Sequence, residues 1–172
     1  MTSPTATASV SVRPAETADE ERRRSWFAET KRVEFAPLGL PEPTLAGLCD
    51  QQYDARVAGY SHQFPAAEHL VIELDGEPVG ALIVDGLHEV HEAGTVVVVD
   101  IVIAEQHRHR GIGRRVLAEI VDTADRRGAD VELTVAHGNP ARRLYDRLGF
   151  RAIATTELHE RLRRPPARKD TT

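Results

Sequence analysis

Val96 to Leu117, VVVVDIVIAEQHRHRGIGRRVL, is the stretch from which the fold follows. Val96 to Val99 and Ile101 to Ile103 form an apolar, β-branched run broken only by Asp100, the pattern of a strand buried on both faces. A charged loop, Glu105 to Arg110, comes next. Gly111 and Gly113 then open a segment in which Ile112, Val116, Leu117, Ile120, Val121 and Ala124 recur at helical spacing. The order is strand, glycine turn, helix.

Such a junction predicts an anion site. The first turn of a helix has amides without intrahelical partners, and the aligned peptide dipoles make that end partly positive. Glycine lets the backbone approach an anion with no Cβ in the way. Arg108, Arg110 and Arg114 add guanidinium charge around the same point, with His107 and His109 between and beside them. A dinucleotide fingerprint needs a small residue three positions after Gly113, where Val116 stands, and a P-loop needs Gly-Lys-Ser/Thr, which is absent. The alternative to an anion site is a plain glycine connection with solvated arginines.

Towards the N-terminus, residues 1–9 are small and polar and are expected to be disordered, with the folded domain spanning 10–164 and a tail at 165–172. Val10 to Arg13 suits a short strand. Thr17-Ala-Asp-Glu20 has the form of a capping box for a helix running to about Phe35, anchored by Trp26, Phe27, Val33 and Phe35 and solvated along Glu21 to Arg24. Pro37, Gly39, Pro41 and Pro43 mark a stiff connection. Thr44 can cap a second helix, whose stripe is Leu45, Leu48, Cys49, Gln52, Tyr53, Arg56, Val57 and Tyr60, ended by Gly59 and Ser61 to Pro65. Gln52 and Arg56 are polar on that stripe, so they are either satisfied locally or point into a cavity. His69 to Leu74 and Val79 to Val84, joined by Asp75-Gly76, read as a hairpin.

Towards the C-terminus, Gly128 stops the helix that the glycine turn opens. Val131 to Ala136 is a further strand, parallel to the first because a helix connects them. Ala141, Leu144, Tyr145 and Leu148 share one face of a short helix ending at Gly149, and Phe150 to Thr155 with Leu158 to Leu162 close the chain as a hairpin. The predicted architecture is one α/β domain with a mixed, mostly antiparallel sheet flanked by about four helices.

Arg108-x-x-Gly111-x-Gly113, with its strand and helix on either side, resembles the pyrophosphate-binding motif of the GNAT superfamily of N-acetyltransferases, whose members bind acetyl-coenzyme A. Asn139-Pro-Ala-Arg-Arg-Leu-Tyr-Asp-Arg-Leu-Gly-Phe150 resembles that family's element after the fifth strand. The resemblance covers residues 69–163 well and 10–60 loosely. It implies a GNAT-like fold whose parallel pair splays after the glycine motif. It further implies a diphosphate held by Arg108, His109, Arg110, Gly111, Ile112, Gly113 and Arg114, and a pantetheine arm paired with the backbone of Ile101, Val102 and Ile103. Asn139 would touch that arm or order the loop beside it, and Tyr145 would give a proton to the departing thiolate.

From the residues alone, Tyr145 is either a core aromatic with a polar tip or a hydroxyl in reach of a leaving sulfur. Asp100, a carboxylate inside an apolar strand, is either a base whose pKa burial raises or the partner of an arginine. Glu105 reads as a structural or solvent-facing loop carboxylate. The resemblance implies that the connection before the fourth strand borders the acceptor, which would place His88 there together with Gln52 and Arg56 of the second helix. A metal held by His88 and His91 is rejected, because three-residue spacing suits a helix face, this segment reads as a loop or hairpin, and the sequence offers no third ligand cluster. No metal is expected.

With 172 residues, 41% hydrophobic and 28% charged, the chain suits one soluble domain with its own core. Its longest apolar run is too short to span a membrane, and it has neither the basic start nor the apolar core of a secretory signal, so no membrane partner and a cytoplasmic location are expected. Cys49 stands alone on a helical stripe and is expected in the core. A net charge of −5 argues against a general nucleic-acid partner and leans faintly towards a cationic acceptor. The expectation is an N-acetyltransferase that moves an acetyl group from acetyl-coenzyme A to a primary amine of a small molecule or peptide, by direct attack in a ternary complex, possible as a homodimer. Its rivals are another acyl group or a hydroxyl acceptor, a coenzyme-binding sensor without turnover, and an RNA-binding module built on His107 to Arg115.

Overall fold

The computed structural model describes residues 8–88 and 94–167. A single sheet of seven strands, β1 (Val10–Pro14), β2 (Glu68–Leu74), β3 (Glu77–Asp85), β4 (Thr95–Ile103), β5 (Asp130–Ala136), β6 (Arg151–Thr155) and β7 (His159–Arg164), has the order β1-β2-β3-β4-β5-β7-β6. All neighbours are antiparallel except β4 and β5. Four α-helices are described: α1 (Glu20–Phe35), α2 (Glu42–Gln63), α3 (Ile112–Arg127) and α4 (Arg142–Arg147).

Alternation along the strands divides the core between the two faces of the sheet. Leu70, Ile72, Leu82, Val84, Val96 and Val98 pack with Leu133 and Val135 against Ile112, Val116, Leu117, Ile120, Val121 and Ala124 of α3, and Tyr145 and Phe150 join them. These six α3 residues are the ones that helical spacing singles out. Val71, Ala81 and Ala104 face the other way, onto Trp26 of α1. Phe27 and Tyr53 meet edge to face at 5.6 Å and lock α1 to α2. Asp75 and Gly76 both take positive φ (53° and 84°), the two-residue turn expected between β2 and β3.

Several boundaries differ from expectation. The box at the start of α1 is built by Asp19, not Thr17: a 3-10 turn at Thr17–Asp19 precedes the helix, and Asp19 accepts from the Glu16 amide at 2.9 Å. Asp19 is 2% exposed and held at 2.7 Å by Arg13, whose side chain is 32% exposed, so the cap is also a half-buried ion pair between β1 and the start of α1. Val33 is 68% exposed and anchors nothing. The second helix starts at Glu42, with Pro41 as cap and Pro43 in the first turn, where the missing amide costs no hydrogen bond. It runs through Gly59 and Ser61 to Gln63, and the Phe64 amide closes it on the Tyr60 carbonyl.

One register feature positions the site. Ile83 pairs with Asp100 but Val84 pairs with Val98, so Val99 is an extra residue in β4. A bulge bends the strand that carries it. The parallel ladder with β5 stops at the same point: Val98↔Leu133 is its last pair. Beyond it, residues 99–103 of β4 and 134–136 of β5 diverge.

Candidate active site

The divergence opens a cleft of about 810 Å³ between β4 and β5, roofed by α1 and α2. Residues 97–102 of β4 and 133–136 of β5 line it, with Asn139, Tyr145 and His159 from the far side and Arg23, Phe27, Gln52, Arg56 and Tyr60 from the helices. The bend at Val99 turns Asp100 into this space.

Asp100 keeps 24% of its side chain exposed and receives Arg56 Nη2 at 2.5 Å on Oδ1. Burial lifts its carboxyl above the usual range, against the opposing pull of Arg56. Arg56 is itself fixed: its Nε donates to the Tyr60 hydroxyl at 2.9 Å, and its guanidinium lies 5.3 Å and 5.2 Å from the Phe27 and Tyr60 ring centroids. Tyr145 is 7% exposed, on the one buried face of α4, and meets Phe150 edge to face at 5.9 Å. Burial first, and the charge of Asp100 second, raise its phenol above the ordinary value, so it stays protonated at neutral pH. Among the described residues no group accepts from its hydroxyl.

At the C-terminal end of β4, a 3-10 turn (Glu105–His107) leads to Gly111, whose φ of +77° caps α3 in a conformation that suits glycine. Arg115 N donates to the Gly111 carbonyl, while the amides of Arg110 to Arg114 find no protein acceptor among the described residues. Arg110 and Arg114 are exposed. Arg108 differs from its neighbours: its Nε donates to the Ile103 carbonyl at 2.9 Å and its Nη2 to Thr30 Oγ1 at 3.3 Å, so it also ties the loop to β4 and α1. First-turn amides and arginines that are unpaired among the described residues suit a diphosphate, and the β4 edge facing the cleft suits an extended arm carrying amides.

The acetyltransferase (GNAT) family model matches residues 19–150. The chain belongs to that family. No curated protein matches it in sequence. Among solved structures, the chain is similar to a PaiA N-acetyltransferase from Thermoplasma acidophilum in complex with coenzyme A, at 15% identity and a TM-score of 0.67 over 91% of this chain and 99% of that one. It is also similar to an acetyltransferase from Thermus thermophilus, at 23% identity and a TM-score of 0.61 over 91% and 96%. A GCN5-related N-acetyltransferase from Kribbella flavida stands at 22% and 0.60 over 91% and 97%. At such identities the likeness is one of GNAT fold.

Within this GNAT domain, Asp100, Ile101, Val102, Asn139, Tyr145, Gln52 and Arg56 come together around one cleft, with Ile103 at its far end leading to the glycine turn. Asn139 also orders its own loop, its Oδ1 accepting from Ala141 N at 2.9 Å. His88 is not brought to the cleft: it is paired with Glu68 at 2.7 Å beside a separate cavity of about 370 Å³. His91 lies outside the described residues. Sequence reasoning misses Arg23, which falls on a stretch read as solvated, although its side chain is only 13% exposed and donates to His69 Nδ1 at 2.8 Å. Its position one turn before Phe27 is the available signal. The sequence marks Tyr60 as a packing residue but not as the one that orients Arg56, four positions earlier.

Proposed function

We propose that this GNAT domain transfers an acetyl group from acetyl-coenzyme A to a primary amine by direct attack while both substrates are bound. What supports this most is the placement of Asp100 and Tyr145 on the lining of one cleft, at the point where β4 leaves β5. Acetyl-coenzyme A, when bound, supplies an activated acyl carbon and a thiol leaving group. The amides of residues 110–114, with Arg110 and Arg114, would hold its diphosphate; the free edge at residues 101–103 and Asn139 would hold its arm.

Asp100 takes a proton from the attacking nitrogen, since only a neutral amine has the lone pair to attack. Tyr145 gives its hydroxyl proton to the sulfur, so that a C–N bond forms as the C–S bond breaks. Arg56 held on Asp100 and Phe150 packed on Tyr145 contribute by orientation. A thiol-release assay with acetyl-coenzyme A across a panel of amines tests the proposal. Wild type releases thiol with some amines, and Tyr145→Phe and Asp100→Asn do so far more slowly. Coenzyme binding with no thiol release from any amine would instead favour a sensor.

A further inference from the structure

The cleft holds a built-in pair of opposite charges at its bend, Arg56 and Asp100, one hydrogen bond apart. Around that pair the balance is positive. Arg23, Lys31 and Arg56 line the cleft, and Asp100 is the only carboxylate among the described lining residues. The whole chain carries −5, so the surplus is local and opposes the overall field. Glu20, 3.4 Å from Arg23 and 45% exposed, and Glu34, 2.6 Å from Lys31 and 57% exposed, lie outside the lining and are screened by water.

Both arginines are oriented in advance. Arg56 lies over the Phe27 and Tyr60 rings with its Nε held by the Tyr60 hydroxyl. Arg23 is directed by His69, whose pKa burial lowers, so that its Nδ1 stays free to accept. A fixed guanidinium fork is suited to a carboxylate. A polyamine or an aminoglycoside would bring several cations against these residues. A lysine side chain or a peptide N-terminus would draw Asp100 to its ammonium and leave Arg56 facing a neutral amide, a partly buried charge without a partner.

We infer that the acceptor is a free α-amino acid or a close zwitterionic analogue. Its ammonium replaces Arg56 on Asp100, its carboxylate replaces Asp100 on Arg56 with Arg23 behind, and its side chain rests against Phe27, Val57 and Phe64 of the same lining. One internal ion pair is exchanged for two external ones, which places the nitrogen on the residue proposed as base. The assignment rests on Asp100 facing the acceptor in acetyl transfer, as proposed above.

Matched triplets test it: an α-amino acid, its carboxamide and its decarboxylated amine, assayed for thiol release from acetyl-coenzyme A. Wild type is expected to favour the acid by about 100-fold in kcat/KM, the scale of leaving one charge of a buried pair unmatched. Arg56→Gln collapses that preference towards unity and Arg56→Lys retains part of it, a selectivity change that a merely structural arginine would not produce. Equal use of acids, carboxamides and amines by wild type overturns the inference while leaving amine acetylation intact. So does an Arg56→Gln variant that slows all three members of a triplet alike. Thiol release from no triplet member but from other amines overturns the inference alone; release from no amine at all, with acetyl-coenzyme A still bound in titration, overturns both the inference and the transfer reaction beneath it.

Discussion

Asp100 sits where two opposing influences meet: burial raises its pKa and Arg56 restrains the rise. A rate that needs the carboxylate therefore climbs as pH passes a value above the ordinary aspartate range, and it falls at alkaline pH as Tyr145 ionises above the ordinary tyrosine value. The pH profile of kcat/KM measures both limbs. Asp100→Asn and Tyr145→Phe are each expected to lower kcat by about 100-fold, the usual scale of general acid–base assistance. Asn at position 100 should also abolish the acidic limb. A second residue-scale prediction concerns stability. Arg13 holds the Asp19 carboxyl down at about 2. Because its folded pKa is depressed, the Asp19 contribution is complete above the ordinary aspartate value and is lost as pH falls through about 2. Asp19→Asn should cost about 2 kcal/mol in denaturant unfolding at neutral pH, and the difference from wild type should shrink on acidification.

At the scale of elements, the site depends on one bulge and one helix start. The bulge at Val99 and the end of the β4–β5 ladder coincide, so the strand bends away where its partner stops. Neither was legible in VVVVDIVI, since a bulge in a uniformly apolar strand changes no residue type. The helix start was legible, because glycine and arginine spacing report directly on backbone conformation and charge. Gly113 separates fold from binding there. A Cβ at that position would lie 3.9 Å from Ile103 Cγ1, an ordinary contact. Gly113→Ala should therefore fold and gain up to about 1 kcal/mol of helix stability. If the first-turn amides seat a diphosphate, the added methyl should nevertheless weaken coenzyme A binding by about tenfold, near the upper end of what a helix N-terminus contributes to an anion. Thermal melting and isothermal titration on one variant separate the two effects.

At the scale of the molecule, α3 covers one face of the sheet and the α1–α2 pair covers the other, so the cleft at the splay has the glycine turn and the start of α3 at one end and helical lining at the other. The α3 face and all seven strands were readable, because periodicity and turn residues govern them locally. The α1–α2 roof was readable only as two helices. Its charged positions obtain partners from distant strands, Arg23 from His69 and Arg56 from Asp100, and no spacing rule within the helix carries that information. The most direct measurement is amide hydrogen exchange with and without coenzyme A. Slowed exchange confined to segments 101–103 and 110–114 is the predicted result. Coenzyme A bound tightly while both segments exchange at unchanged rates would contradict the site.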